Sequence, residues 1–81
     1  MSKVAMDDEW KARARGILKA ELARRNIKQV ELAKMLEEAY GIKETPQSLS
    51  NKISRGTFSA VFMLQILEAI GCSTLAINAD Q

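Results

Sequence analysis

Apolar side chains recur at helical spacing along most of this chain, in blocks separated by short polar or glycine-bearing breaks. The first block, Trp10, Ala14, Ile17, Leu18 and Leu22, makes one stripe of a helix. Asp7, Asp8 and Glu9 precede or open it, and carboxylates favour a helix N-terminus both as caps and through the dipole. Arg24 and Arg25 fall in its last turn, where cations are favoured, and Asn26 tolerates a left-handed exit. The pattern predicts a first helix from about residue 8 to 25, with Trp10 packed against the fourth helix.

A second helix is predicted from Lys28 or Gln29. Ile27 and Leu32 have the spacing of a hydrophobic staple, and Lys28 is a poor cap, so this end leans on the staple and on Glu31. Leu32, Ala33, Met35, Leu36 and Ala39 form its inner face, and Gly41 stops it after Tyr40. After a loop from Ile42 to Glu44, Thr45-Pro46 is a strong start signal, a cap followed by proline at the first helical position. The third helix runs from Pro46 to Arg55 and ends at Gly56. Ser59 caps a fourth helix reaching Gly71. The tail from Cys72 to Asn78 reads as a short strand or a last half-turn of helix. The expectation is an all-α bundle of four to five helices, with or without that strand. It divides into a flexible N-terminus (1–7), one domain (8–72) and a short tail (73–81).

Composition narrows the classes. With 81 residues, one proline and four glycines, the chain makes a single helical core and has no volume for a deep enzyme cavity. There is one cysteine, Cys72, and no histidine, so neither an internal disulfide nor a zinc site is expected, and nothing activates Cys72 as a nucleophile. Asp7-Asp8 and Glu37-Glu38 read as helix-end and surface residues. Met35 and Met63 read as core filler or surface, as does Met6, whereas Tyr40 and Phe62 are candidates for a partner surface. No enzymatic activity, cofactor, metal or small-molecule substrate is expected. No apolar run approaches 18 residues, and Met1 to Trp10 does not resemble a signal peptide, so a cytoplasmic protein without a membrane span is expected.

The net charge of +2 hides an uneven distribution. Lys11 to Lys28 carries seven bases against one acid, Glu21, while residues 29–45 carry two bases and four acids. A basic segment beside neutral ones attracts phosphates; a solvated helix surface is the alternative.

Helix 3 carries the most informative chemistry. Leu49 and Ile53 are its only apolar pair, and at about 100° per residue Gln47, Asn51 and Arg55 lie almost opposite, flanked by Ser48 and Ser54. Amides pair bidentately with adenine, arginine with guanine, and hydroxyls with base edges or phosphates. No carboxylate lies between Pro46 and Gly56. A polar surface stretch is the bland alternative, although its low helix propensity argues against it.

These residues also carry a resemblance. Gln29-Val30-Glu31-Leu32-Ala33-Lys34-Met35-Leu36 resembles the second helix of λ-repressor-like (XRE-type) DNA-binding domains, with their Gln-x-x-Leu-Ala pattern. Ser48 through Gly56 resembles the recognition helix with its closing Arg-Gly, and Phe58 through Gly71 the helix that follows. The chain also resembles a bacterial family of unknown function sharing Ser-Asn-Lys-Ile-x-Arg-Gly-Thr-Phe. The resemblance implies a cytoplasmic bacterial transcription regulator that binds double-stranded DNA through a helix-turn-helix, with residues 46–55 in the major groove. It implies base reading by Gln47, Ser48, Asn51 and Arg55, and phosphate binding by Gln29 and Lys52, to which the Arg24, Arg25 and Lys28 corner can add.

The sequence departs from that pattern at several points. Glu37 stands where the family usually has glycine, Gly41 comes a turn later, and two further residues precede Thr45. One more residue than is common separates Leu49 from Gly56. Helix 2 should be longer and the turn not the usual three residues. The rival reading is therefore a protein–protein module, antitoxin-like or adaptor, that keeps the fold without binding DNA. Helix 4 adds a partner expectation: Val61, Phe62, Met63, Leu64, Ile66, Leu67 and Ile70 make it apolar over more than half its circumference. A homodimer is expected through Phe62, Met63, Leu75 and Ile77, with Thr74 to Asn78 as an intermolecular strand. The alternative is that Phe62 and Met63 fold under the tail.

Overall fold

A computed structural model of the chain describes residues 3–75 and 77. Over them the chain forms four helices and no strand: α1 (Lys3–Arg24), α2 (Gln29–Tyr40), α3 (Pro46–Arg55) and α4 (Ala60–Ala69). Most boundaries follow local chemistry. Thr45 Oγ1 accepts the Ser48 amide at 3.0 Å, with Pro46 filling the first position of α3. Ser59 Oγ accepts the Phe62 amide at the same distance and so caps α4. Lys28 has no side-chain acceptor, and there Glu31 reaches back to the Lys28 amide at 3.1 Å. Gly41 (φ 70°) closes α2 and Gly56 (φ 68°) closes α3, both left-handed; Asn26 (φ 56°) makes the same exit after α1.

Three boundary expectations are corrected. α1 starts at Lys3 rather than near residue 8, so Asp7, Asp8 and Glu9 are exposed positions within the helix and not its caps. α4 stops at Ala69, with Ile70 as its cap, two residues short of Gly71. Residues 72–75 form no strand; Ala76 and residues 78–81, the rest of the expected strand and tail, lie outside the described residues.

The core is aliphatic. Leu18 and Leu22 of α1, Leu32 and Leu36 of α2, Leu49 and Ile53 of α3, and Ile66 and Leu67 of α4 are buried, together with Ile70. Full burial of each such side chain is worth about 1.5–3 kcal/mol, which is what holds so small a domain together. α3 and α4 each approach both α1 and α2 closely, whereas no Cα of α1 lies within 8 Å of one in α2.

Length decides how far the core extends. The 22 residues of α1 span about 33 Å and the 10 of α4 about 15 Å, so α4 alone cannot cover the whole of α1. Trp10, expected to pack against α4, stays 58% exposed at the rim of an apolar groove that Met63 of α4 also lines, and the Arg13 guanidinium lies 4.6 Å from its ring centre. Among the described residues, no helix is long and apolar enough to cross a membrane.

Candidate nucleic-acid interface

Complete burial of Leu49 and Ile53 fixes the rotation of α3. Gln47, Asn51, Ser54 and Arg55 consequently face solvent. Gln47 Nε2 donates to Asn51 Oδ1 at 3.1 Å, one helical turn away. That bond leaves the Gln47 carbonyl as an acceptor and the Asn51 amino group as a donor, both on exposed residues. Arg55 makes no hydrogen bond or ion pair among the described residues.

The other expected base reader, Ser48, is turned differently. It is half-buried, and its hydroxyl donates to Glu44 Oε1 at 2.7 Å. Lys52 pairs with the second oxygen of the same carboxylate, and its ammonium lies 5.5 Å from the Phe62 ring centre. The hydrogen bond from Lys52, and then that from Ser48, holds the Glu44 carboxyl below its ordinary value. The surroundings of α3 thus include a carboxylate that the segment from Pro46 to Gly56 lacks: Glu44 folds back onto the helix from the turn.

α1 is clamped to the end of α3. Arg15 Nη1 donates to the Ser54 carbonyl at 3.2 Å. At Gly56 the backbones come so close that an added Cβ would sit 2.4 Å from the Lys11 carbonyl oxygen.

The basic corner is partly neutralised. Glu21, although charged, is buried, and it accepts from Arg25 at 2.5 Å and from Arg24 at 2.9 Å. The Arg25 hydrogen bond holds the Glu21 carboxyl below its usual value against the opposing effect of burial, and Glu21 raises the Arg25 guanidinium in return. Lys28 is exposed and outside this group. Gln29, at the start of α2, is half-buried, and its carboxamide oxygen is enclosed without a hydrogen-bond partner among the described residues.

The four residues expected at a dimer interface do not share one surface. Phe62 is half-buried against Phe58, ring centres 6.5 Å apart, on the side facing α3. Met63, Leu75 and Ile77 line an apolar groove of about 280 Å³ with Trp10, Ala14 and Ile17, between α1, α4 and the tail. The outward apolar residues of α4 are Val61 (64% exposed) and Leu64 (65%).

Sequence reasoning missed Glu44, Arg15 and the Gly56–Lys11 approach. For Glu44 the signal was there, since Ser48 is four residues on and Lys52 eight; for Arg15 none existed, because its partner is a distant backbone carbonyl.

A family model described as a domain of unknown function (DUF6471) matches residues 10–75. The chain belongs to that family. The DUF6471 match runs from Trp10 to Leu75, so it takes in α2, α3 and α4 whole and α1 from Trp10 onward. No curated protein and no solved structure matches the chain. Every polar contact described above lies within the DUF6471 segment.

Proposed function

We propose that this DUF6471 domain binds double-stranded DNA sequence-specifically as a small transcription regulator. In this reading it is a λ-repressor-like helix-turn-helix bundle with α3 in the major groove. The observation that carries the reading is the division of α3: Leu49 and Ile53 fully buried, with the Gln47–Asn51 amide pair and Arg55, unpartnered among the described residues, turned outward. An amide donor and an amide acceptor match the edge of adenine, and a guanidinium matches guanine or a phosphate. Lys28, Arg24 and the Gln29 amino group supply phosphate contacts at the neighbouring corner. Ser48 and Lys52 act indirectly, by tying α3 to Glu44, and Arg25 by compensating Glu21. A homodimer through the outward face of α4, Val61 and Leu64, places two such helices about 34–36 Å apart, one turn of DNA.

The reading is tested by binding to duplex DNA over a range of salt. Affinity should fall steeply, with each phosphate contact adding about −0.9 to the log–log slope. The second reading, a protein-interaction module, is favoured by the exposed Val61, Leu64 and Trp10 and by the Glu44 carboxylate beside α3. Absence of binding to any duplex at about 50 mM salt would decide for it.

A further inference from the structure

Between the end of α3 and the start of α4 lies a cavity of about 310 Å³, lined by Lys52, Arg55, Thr57, Phe58, Ser59 and Phe62. The reading of DNA by α3 makes direct use of Arg55 alone among these. The two phenylalanine rings, tilted at 51° to one another, supply apolar surface. Arg55, Thr57, Ser59 and Lys52, whose ammonium lies 5.5 Å from the Phe62 ring centre, supply two cations and two hydroxyls. A site that combines aromatic and cationic groups suits a ligand that carries both a ring and a negative charge.

The charges narrow the class of ligand. Lys52 is already neutralised by Glu44, which holds Ser48 as well. Arg55 has no partner among the described residues, so the cavity presents one uncompensated cation. A doubly charged phosphate would have to draw Lys52 away and leave the half-buried Glu44 without its ion pair, at a cost in desolvation. A monoanion needs no such rearrangement, and a guanidinium is shaped to take a planar carboxylate through two parallel hydrogen bonds. Thr57 is exposed, and the Ser59 hydroxyl accepts the Phe62 amide while keeping its own proton to donate. The volume stands at the lower limit of small-molecule pockets, about 300–1,000 Å³, which leaves room for a body of about one ring.

We propose that this cavity binds a small aromatic monocarboxylate. The carboxylate sits on Arg55, the Thr57 and Ser59 hydroxyls orient it, and the ring lies against Phe58 and Phe62. Arg55 cannot serve this ligand and a DNA duplex at once, so the two compete; that consequence rests on the proposed DNA binding, whereas the site itself does not.

The test uses benzoate as the probe, with acetate supplying the charge without the ring and benzyl alcohol the ring without the charge. Amide resonances of the full chain are followed by NMR during titration. Benzoate should give saturable shifts confined to residues 52–62, with a Kd on the order of 1 mM for so small a molecule. Acetate and benzyl alcohol should each bind at least about tenfold more weakly. Arg55→Gln, at an exposed position, should abolish the shifts while leaving the helical circular dichroism unchanged. Absence of saturable shifts, shifts that survive in Arg55→Gln, or acetate matching benzoate would each overturn the site, the last by showing a general anion site. A duplex-binding assay forms the second arm. Benzoate that binds and weakens duplex affinity supports both parts. Benzoate binding that leaves duplex affinity unchanged overturns the competition. Benzoate binding by a chain that binds no duplex supports the site and overturns the proposed function alone.

Discussion

Replacing Gly56 with alanine should destabilise the domain far more than replacing any other of its glycines. Two independent effects meet there. The backbone is left-handed (φ 68°), which costs a residue with a Cβ about 1 kcal/mol. The new Cβ would also stand 2.4 Å from the Lys11 oxygen and 2.9 Å from its carbonyl carbon, and neither is the end of a flexible side chain. Ordinary contact begins near 3.4 Å, so α1 must retreat by about 1 Å from α3. Overpacking of that kind costs about 1–3 kcal/mol. The sum, about 2–4 kcal/mol, corresponds to a fall in Tm of about 10–30 °C for a domain of this size. Gly41→Ala is the internal control: φ is 70°, nothing lies within 4 Å of the added Cβ, and the cost should stop at about 1 kcal/mol. Gly16→Ala, in open space within α1, should stabilise by about 0.5–1 kcal/mol. Thermal and urea unfolding followed by circular dichroism measure all three. Equal losses for Gly56→Ala and Gly41→Ala would refute the close approach of α1 and α3.

Acid should weaken the fold through Glu21 and Glu44. Both carboxyls are held below the ordinary value of 4.5, so their stabilisation is complete above it and is lost as pH falls through the lower folded values. The urea midpoint should therefore drop as pH falls below about 4.5, less so in Glu44→Gln, and a flat profile down to about pH 3 would contradict both contacts. Gln47→Ala or Asn51→Ala should cost about 1–3 kcal/mol on a selected DNA site and little on random duplex; unchanged affinity for the selected site would remove α3 from base reading. Sedimentation at micromolar concentration should give a dimer that Leu64→Lys dissociates, and a 9.0 kDa species for the unsubstituted chain would exclude the dimer.

The parts of the fold legible in the sequence were those decided within a few residues. Thr45-Pro46, Ser59, Gly41 and Gly56 set helix ends through caps and left-handed turns, and each stands where its chemistry requires. Leu49 and Ile53 likewise fixed which face of α3 is buried. Trp10 is less covered than its stripe suggests because periodicity does not report the length of the neighbour that covers it. Asp7 to Glu9 misled because acids that suit a first turn are also tolerated inside a solvated helix. The corner from Arg24 to Lys28 looked purely cationic because charge counting gave Glu21 no special weight. Its burial beneath two arginines depends on α1 being covered from the far end of the chain, where Cys72 Sγ lies 3.8 Å from the same carboxylate.

The layering of the helices bears on the order in which the chain can fold. α1 and α2 are neighbours in sequence, yet their backbones stay further apart than either does from α3 and α4. As the chain leaves a ribosome, Leu18 and Leu22 therefore cannot complete their packing until Leu49 and Ile53 emerge, and the core is incomplete until Ile66, Leu67 and Ile70 follow. Synthesis must pass Ile70 before the core is complete. Folding is then a late, concerted step, and a nascent chain halted after α2 presents a bare leucine stripe to chaperones and to other chains.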